Sequence, residues 1–164
     1  MNVVAFDVGT TETAFALMND QYELLDFGKV PNDYLLELKT IFSYDVFVYE
    51  KFMSYGMTIG QTTIDSIEWN GRYKQRALDV GCKKVVALPR KEVKINLCGT
   101  MKAKDTNIRQ ALIDRFAKFD FKNGKGTKNN RDVFYGVSAD CWSAIGIAVT
   151  YLDQSKELNN GSNL

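Results

Sequence analysis

The sequence predicts an α/β fold in which a mixed five-stranded sheet, three strands antiparallel and two parallel, is flanked by helices. Three observations predict it. The first thirty residues alternate short apolar runs with turn-like breaks, two later apolar runs at 45–51 and 84–88 each follow a helical stretch, and the chain closes on a densely apolar helix. With 164 residues, 45% of them hydrophobic, the chain is sized for one core. We expect one domain over 1–155 and a polar, frayed tail, KELNNGSNL, over 156–164.

Each element has its own signal. Asn2 to Val8 is a short β-branched run, Glu12 to Met18 alternates small and apolar residues, and Tyr22 to Val30 is a third run; the breaks at GTT and ND make the three a meander. Asn32 is placed to cap a helix reaching about Phe42, with Tyr34, Leu35, Leu38, Ile41 and Phe42 at helical spacing. Asp45 to Lys51 is apolar enough to be a central parallel strand beside the first after that crossover. A long helix follows over Thr58 to Asp79, ending at Gly81, and Lys84 to Leu88 forms a fifth strand stopped by Pro89. A basic helical region then spans about Arg90 to Phe116, a Lys/Gly/Asn loop 118–131, and a last helix about Ser138 to Leu152. The order βββαβαβα is that of the RNase H-like fold.

Composition excludes several chemistries. The chain has no histidine, which removes His-based triads and His-ligated zinc, so a metal site would be built from carboxylates and would favour Mg²⁺ or Mn²⁺. Cys82, Cys98 and Cys141 are odd in number and widely spaced, as expected of reduced intracellular thiols. No apolar stretch approaches a membrane span and the N-terminus lacks a basic leader, so a cytoplasmic protein is expected. The net charge of +1 hides strong segregation: residues 1–82 carry 6 basic and 12 acidic side chains, 83–131 carry 14 and 4, and 132–164 carry 1 and 4. A +10 block inside a nearly neutral chain fits a face that tracks a polyanion.

Two acids stand where burial is costly. Asp7 lies in AFDVGTT and Glu50 in VFVYEKF, on strands expected to be neighbours, and a shared cation would compensate both. Asp140 opens the apolar helix, and Ser143, one turn later, shares its face.

At this point the sequence resembles the RuvC family of Holliday junction resolvases, its phage-encoded members in particular. AFDVGTT looks like the family's first acidic strand, VYEKFM like its second acid with the following aromatic, LPRKEVKINLCGTMKAKDTNIRQAL like its basic segment, and SADCWSAIGIA like its terminal helix. The resemblance implies a Mg²⁺-dependent endonuclease that resolves Holliday junctions and other branched DNA such as forks, acting as a homodimer with two Mg²⁺ ions per site. Asp7, Glu50 and Asp140 would be its metal ligands and catalytic groups, and Mn²⁺ a substitute ion. Ser143 stands where the family has a fourth acid; it would bind metal through a water or its hydroxyl, or another acid such as Asp132 would substitute. By the same likeness Lys94 and either Lys102 or Lys104 bind DNA, and Phe52, or secondarily Tyr55, unstacks a base at the crossover.

Other cations join the expected DNA face on charge alone: Lys91 and Arg109, then the loop residues Lys118, Lys122, Lys125, Lys128 and Arg131, read as flexible and able to wrap the arms of a branched substrate. The dimer would use the helix after the second acidic strand, whose Ile59, Ile64, Ile67, Trp69 and Tyr73 are core or interface. Two other classes remain open. DVGTT also resembles the phosphate loop of actin-like and sugar-kinase-like ATPases, although 164 residues hold one such lobe, and Ser143 leaves room for a catalytically silent protein that binds branched DNA.

Overall fold

The computed structural model describes residues 1–161. Its five strands are β1 (Asn2–Val8), β2 (Glu12–Asn19), β3 (Leu24–Pro31), β4 (Val46–Lys51) and β5 (Lys84–Pro89), and its helices α1 (Asn32–Glu37), α2 (Gln61–Asp79), α3 (Arg90–Cys98), α4 (Asp105–Phe116) and α5 (Ala139–Gly161). The strands form one sheet in the order β3-β2-β1-β4-β5. The β1–β2 and β2–β3 pairs are antiparallel, β1–β4 and β4–β5 parallel. This is the expected mixed sheet, with helices on both faces.

Alternation along the central strands divides the core in two. Val3, Ala5, Val46 and Val48 face α3, α4 and α5, whereas Val4, Phe6 and Phe47 face α1 and α2. The second face is aromatic: Phe6 meets Phe47 edge-on at 4.9 Å and Tyr73 at 5.1 Å between ring centroids. On the first face α5 is buried almost all round from Cys141 to Leu152, because it lies between the sheet and α3–α4. Gly146 permits that approach, since a Cβ there would meet Ile108, Leu97 and Val93 side-chain atoms at 3.3–3.4 Å.

Several boundaries differ from expectation. Asn32 does not cap a helix with its side chain. It is buried, takes a hydrogen bond from the Thr13 hydroxyl (2.7 Å) and one from Tyr73 (3.0 Å), and donates to the Gly9 carbonyl (3.0 Å). The helix after it ends at Glu37, and Lys39–Phe42 is a 3₁₀ turn. Tyr22 lies in a turn with φ of 63°, so the third strand begins at Leu24; the Asn19 side chain accepts the Gln21 and Glu23 amides that fix this turn. The long helix α2 starts at Gln61, after an extended Gly60.

The basic helical region is two helices, separated at Gly99, which ends α3 in the left-handed conformation. The last helix runs past Leu152 to Gly161, with 156–161 exposed; the rest of the expected tail lies outside the described residues. On α2, Tyr73 is fully buried and Trp69 half-buried, while Ile64 and Ile67, with Ile59 just before the helix, stay exposed. Among the described residues no helix is long and apolar enough to cross a membrane.

Candidate active site and nucleic-acid face

Strand register builds the site. Asp7 pairs with Ala14, and Ala14 with Lys29, so these three share one row across the sheet. The parallel β1–β4 ladder ends at Phe6–Tyr49, and the next residues are Asp7 and Glu50; Glu50 in turn pairs with Leu88. By alternation this row points to the face covered by α5, whose first turn brings Asp140 and Ser143. At the end of β1, Gly9 turns tightly toward β2, where a Cβ would lie 2.5 Å from the Glu12 carbonyl oxygen.

The acids crowd one another. Burial first, then the charges of Glu50 and Asp140, push the Asp7 carboxyl up to about 6; Arg90 and a hydrogen bond from Ser143 oppose this. Burial likewise raises Glu50, against the pull of Arg90. Asp7, Glu50, Asp140 and Ser143 therefore form one constellation.

Two cations absent from the sequence-based site flank it. Lys29 reaches Asp140 at 2.5 Å and Glu12 at 3.8 Å, and Arg90 reaches Glu50 at 3.3 Å while also pairing with Asp105. Lys29 was hidden because its proximity depends on hairpin register. Arg90 had a readable signal, since a cation directly after the strand-ending Pro89 is set at the same sheet edge as Glu50.

The donor set consists of three carboxylates and a hydroxyl, all hard oxygens, which fits Mg²⁺ or Mn²⁺ and not a thiophilic ion. Among the described residues no three acidic or thiol side chains stand together so as to hold a metal ion, and two of the acids are ion-paired instead. Asp132 is committed elsewhere. Its carboxylate accepts the backbone amides of Lys118, Phe119, Asp120 and Val133 at 2.7–3.1 Å, so it does not replace the fourth acid.

Two grooves border the acids. Glu50, Phe52, Tyr55, Arg90, Lys91 and Lys94 line one, with Lys91 5.9 Å from the centre of the Tyr55 ring. Asp105, Arg109, Asp140, Trp142 and Ser143 line the other, with Arg109 stacked over Trp142 at 5.2 Å. Lys102 and Lys104 are exposed on the connection between α3 and α4. The loop cations Lys118, Lys122, Lys125, Lys128 and Arg131 line neither groove. Nor is their loop open. Besides Asp132, Asp120 accepts the amides of Asn123, Lys125 and Gly126 at 2.9–3.1 Å, and Gly126 bridges to Arg131.

No family model matches the chain, and no curated protein does. Solved structures do. RuvC from Thermus thermophilus matches with a TM-score of 0.68 at 16% identity, covering 96% of each chain. The fold is that of RuvC. The T. thermophilus RuvC structure in complex with Holliday junction substrate matches at 0.65 and 15% identity, again over 96% of each chain. The fowlpox virus Holliday junction resolvase matches at 0.58 and 14% identity, over 94% of this chain and 99% of that one. The five strands and five helices of the described residues follow that fold, with Asp7 and Glu50 on adjacent central strands.

Proposed function

We propose that this protein is a divalent-metal-dependent endonuclease, of the phage-encoded RuvC type, that resolves Holliday junctions by paired nicking and also cuts other branched DNA. The observation that carries the reading is the crowding of Asp7, Glu50 and Asp140 on one sheet face, bordered by basic helices, in a fold that matches RuvC over 96% of both chains.

Asp7, Glu50 and Asp140 would hold Mg²⁺, with the Ser143 hydroxyl orienting Asp7. When bound, the ion supplies Lewis-acid stabilisation of charge at the scissile phosphate. Lys91, Lys94, Lys102, Lys104 and Arg109 contact the DNA backbone without reading bases, and Phe52 and Tyr55 stand beside Glu50 where a base at the crossover would be unstacked. The exposed isoleucines of α2 form the interface of a homodimer, which sets two active sites against the two strands of a junction. Such an enzyme acts in the host cytoplasm, where its three free cysteines stay reduced.

One observation favours a second reading. Ser143 adds no fourth charge, which suits a protein that binds branched DNA without cutting it. A single experiment separates the two: cleavage of four-way, three-way and linear DNA in Mg²⁺ by the native protein and by Asp7→Asn. Paired nicks in the four-way junction are expected from the native protein only, with junction binding kept by Asp7→Asn. Equal cleavage by both proteins would remove the mechanism, and binding without cleavage by the native protein would establish the silent reading.

A further inference from the structure

We propose that the 118–131 loop is a preformed platform for unpaired nucleotides, with Phe121 as its stacking face and Phe119 beside it. The inference rests on the DNA-binding reading above and extends it from duplex arms to the single-stranded segments of branched substrates.

The loop is rigid before any partner arrives. Asp132 ties down four backbone amides and Asp120 three, at the loop's two ends and centre. Gly126 takes φ of 65°, and a Cβ there would lie 2.3 Å from the Asn130 carbonyl oxygen, so the chain is folded tightly on itself. The entropy of ordering is already lost, and a ligand gains the full contact energy.

On this fixed frame two phenylalanines face solvent. Phe121 is 61% exposed and Phe119 46%, although both sit in a segment ordered enough to have buried them. They alternate with cations in the run KFDFK, and the whole loop carries five basic residues against one acid, Asp120, whose oxygens are taken by the backbone. An apolar protein surface covering the rings would have to desolvate those cations. A nucleotide does not, since it offers a π-face to the ring and a phosphate to the lysines. Paired bases keep their faces stacked inside the duplex, so the ligand is an unpaired strand.

The position suits the role. Gln110 donates to the Phe121 carbonyl at 3.5 Å, and its neighbour Arg109 lines the groove beside Asp140 and Ser143. A strand leaving that groove along α4 meets the platform next.

The test is fluorescence anisotropy without divalent ions, comparing a labelled single-stranded oligothymidylate with a four-way junction whose arms are fully paired, for the native protein, Phe121→Ala, Phe121→Trp and Lys122→Ala. Phe121→Ala is expected to weaken oligothymidylate binding about tenfold and leave the paired junction within about twofold, Phe121→Trp to restore it, and Lys122→Ala to weaken both ligands with a shallower salt dependence. An unchanged Kd for oligothymidylate in Phe121→Ala, or an equal loss on both ligands, overturns the platform. So does a change in oligomeric state by sedimentation with single-strand binding intact, which would make the rings a contact between copies. If the native protein bound neither ligand, the DNA-binding reading itself would fail, an outcome distinct from a platform failure on a protein that still binds junctions.

Discussion

Lys29 pairs its flexible ammonium with Asp140, and Arg90 its guanidinium with Glu50. On the proposed metal-dependent reading, a divalent ion would have to displace these partners before gaining their carboxylates, so the two cations would raise the concentration at which metal binds. Lys29→Met is therefore expected to lower, several-fold, the Mn²⁺ concentration that gives half-maximal thermal stabilisation, measured by melting temperature across a titration. An unchanged midpoint would show that Asp140 is not a ligand or that Lys29 does not compete. The acids themselves were legible in sequence because a carboxylate inside an apolar strand is anomalous by itself. Their counter-cations were not, since Lys29 lies 111 residues from Asp140 and only the hairpin register places it there.

Between elements, the backbone around both acidic strands is fastened from the α2 side of the sheet. Asn32, held by Tyr73, binds the Gly9 carbonyl at the turn that follows Asp7, and Asn70, one helical turn before Tyr73, donates to the Glu50 carbonyl at 3.1 Å. Asn70 Oδ1 finds no donor among the described residues, so this buried amide is retained at an energetic cost. Asn32→Ala takes the donor from the Gly9 carbonyl and the acceptor from the buried Thr13 hydroxyl, while Tyr73 keeps the Asn32 backbone carbonyl as an acceptor, and a loss of about 1–3 kcal/mol in urea denaturation is expected. A loss below about 0.5 kcal/mol would mean that water replaces the side chain without penalty.

The loop before α5 depends on Asp132 in a different way. Burial pushes its carboxyl up, but the four backbone amides together outweigh burial and hold it well below the ordinary range. A depressed folded pKa contributes stability that is complete above the unfolded value, near 3.9, and fades as pH falls through the folded one. Asp132→Asn should lower the melting temperature by about 2–8 °C at pH 7, and the gap should close below about pH 4. A gap independent of pH would assign the effect to packing. Neither role was readable beforehand. Asn32 looked like a helix cap and Asp132 like a spare ligand, because the same short polar side chain serves caps, turns and sites alike, and the choice is made by distant partners. The strands and the start of α5 were read to within about two residues, since continuous apolar runs leave few alternatives, whereas the polar last turns of α5 beyond Leu152 were not.

At the scale of the whole molecule, one side of the sheet carries the acidic constellation and the other faces outward through α2. The helix buries Ser66, Asn70, Tyr73 and Ala77 and leaves Ile64 and Ile67 about 40% exposed, three residues apart on its outer surface, with Ile59 close to the same extent just before it. Sequence periodicity could not assign these residues, because an apolar side chain on a helix reads the same whether it meets the core or a partner. Tyr73, on the face of α2 packed against Phe6 of the sheet, divides them. If the outer isoleucines are the seam of a homodimer, a charge placed between them is desolvated twice in a twofold contact. Ile67→Glu should then sediment as a monomer while keeping its fold by circular dichroism. Its cleavage of a plasmid-borne cruciform should shift from linear product, which needs two coordinated cuts, toward nicked circles, because each monomer brings one constellation to one strand. Linear product at the native proportion from a protein verified as monomeric would break the link between α2 and paired cutting, and leave the acidic site to act on each strand alone.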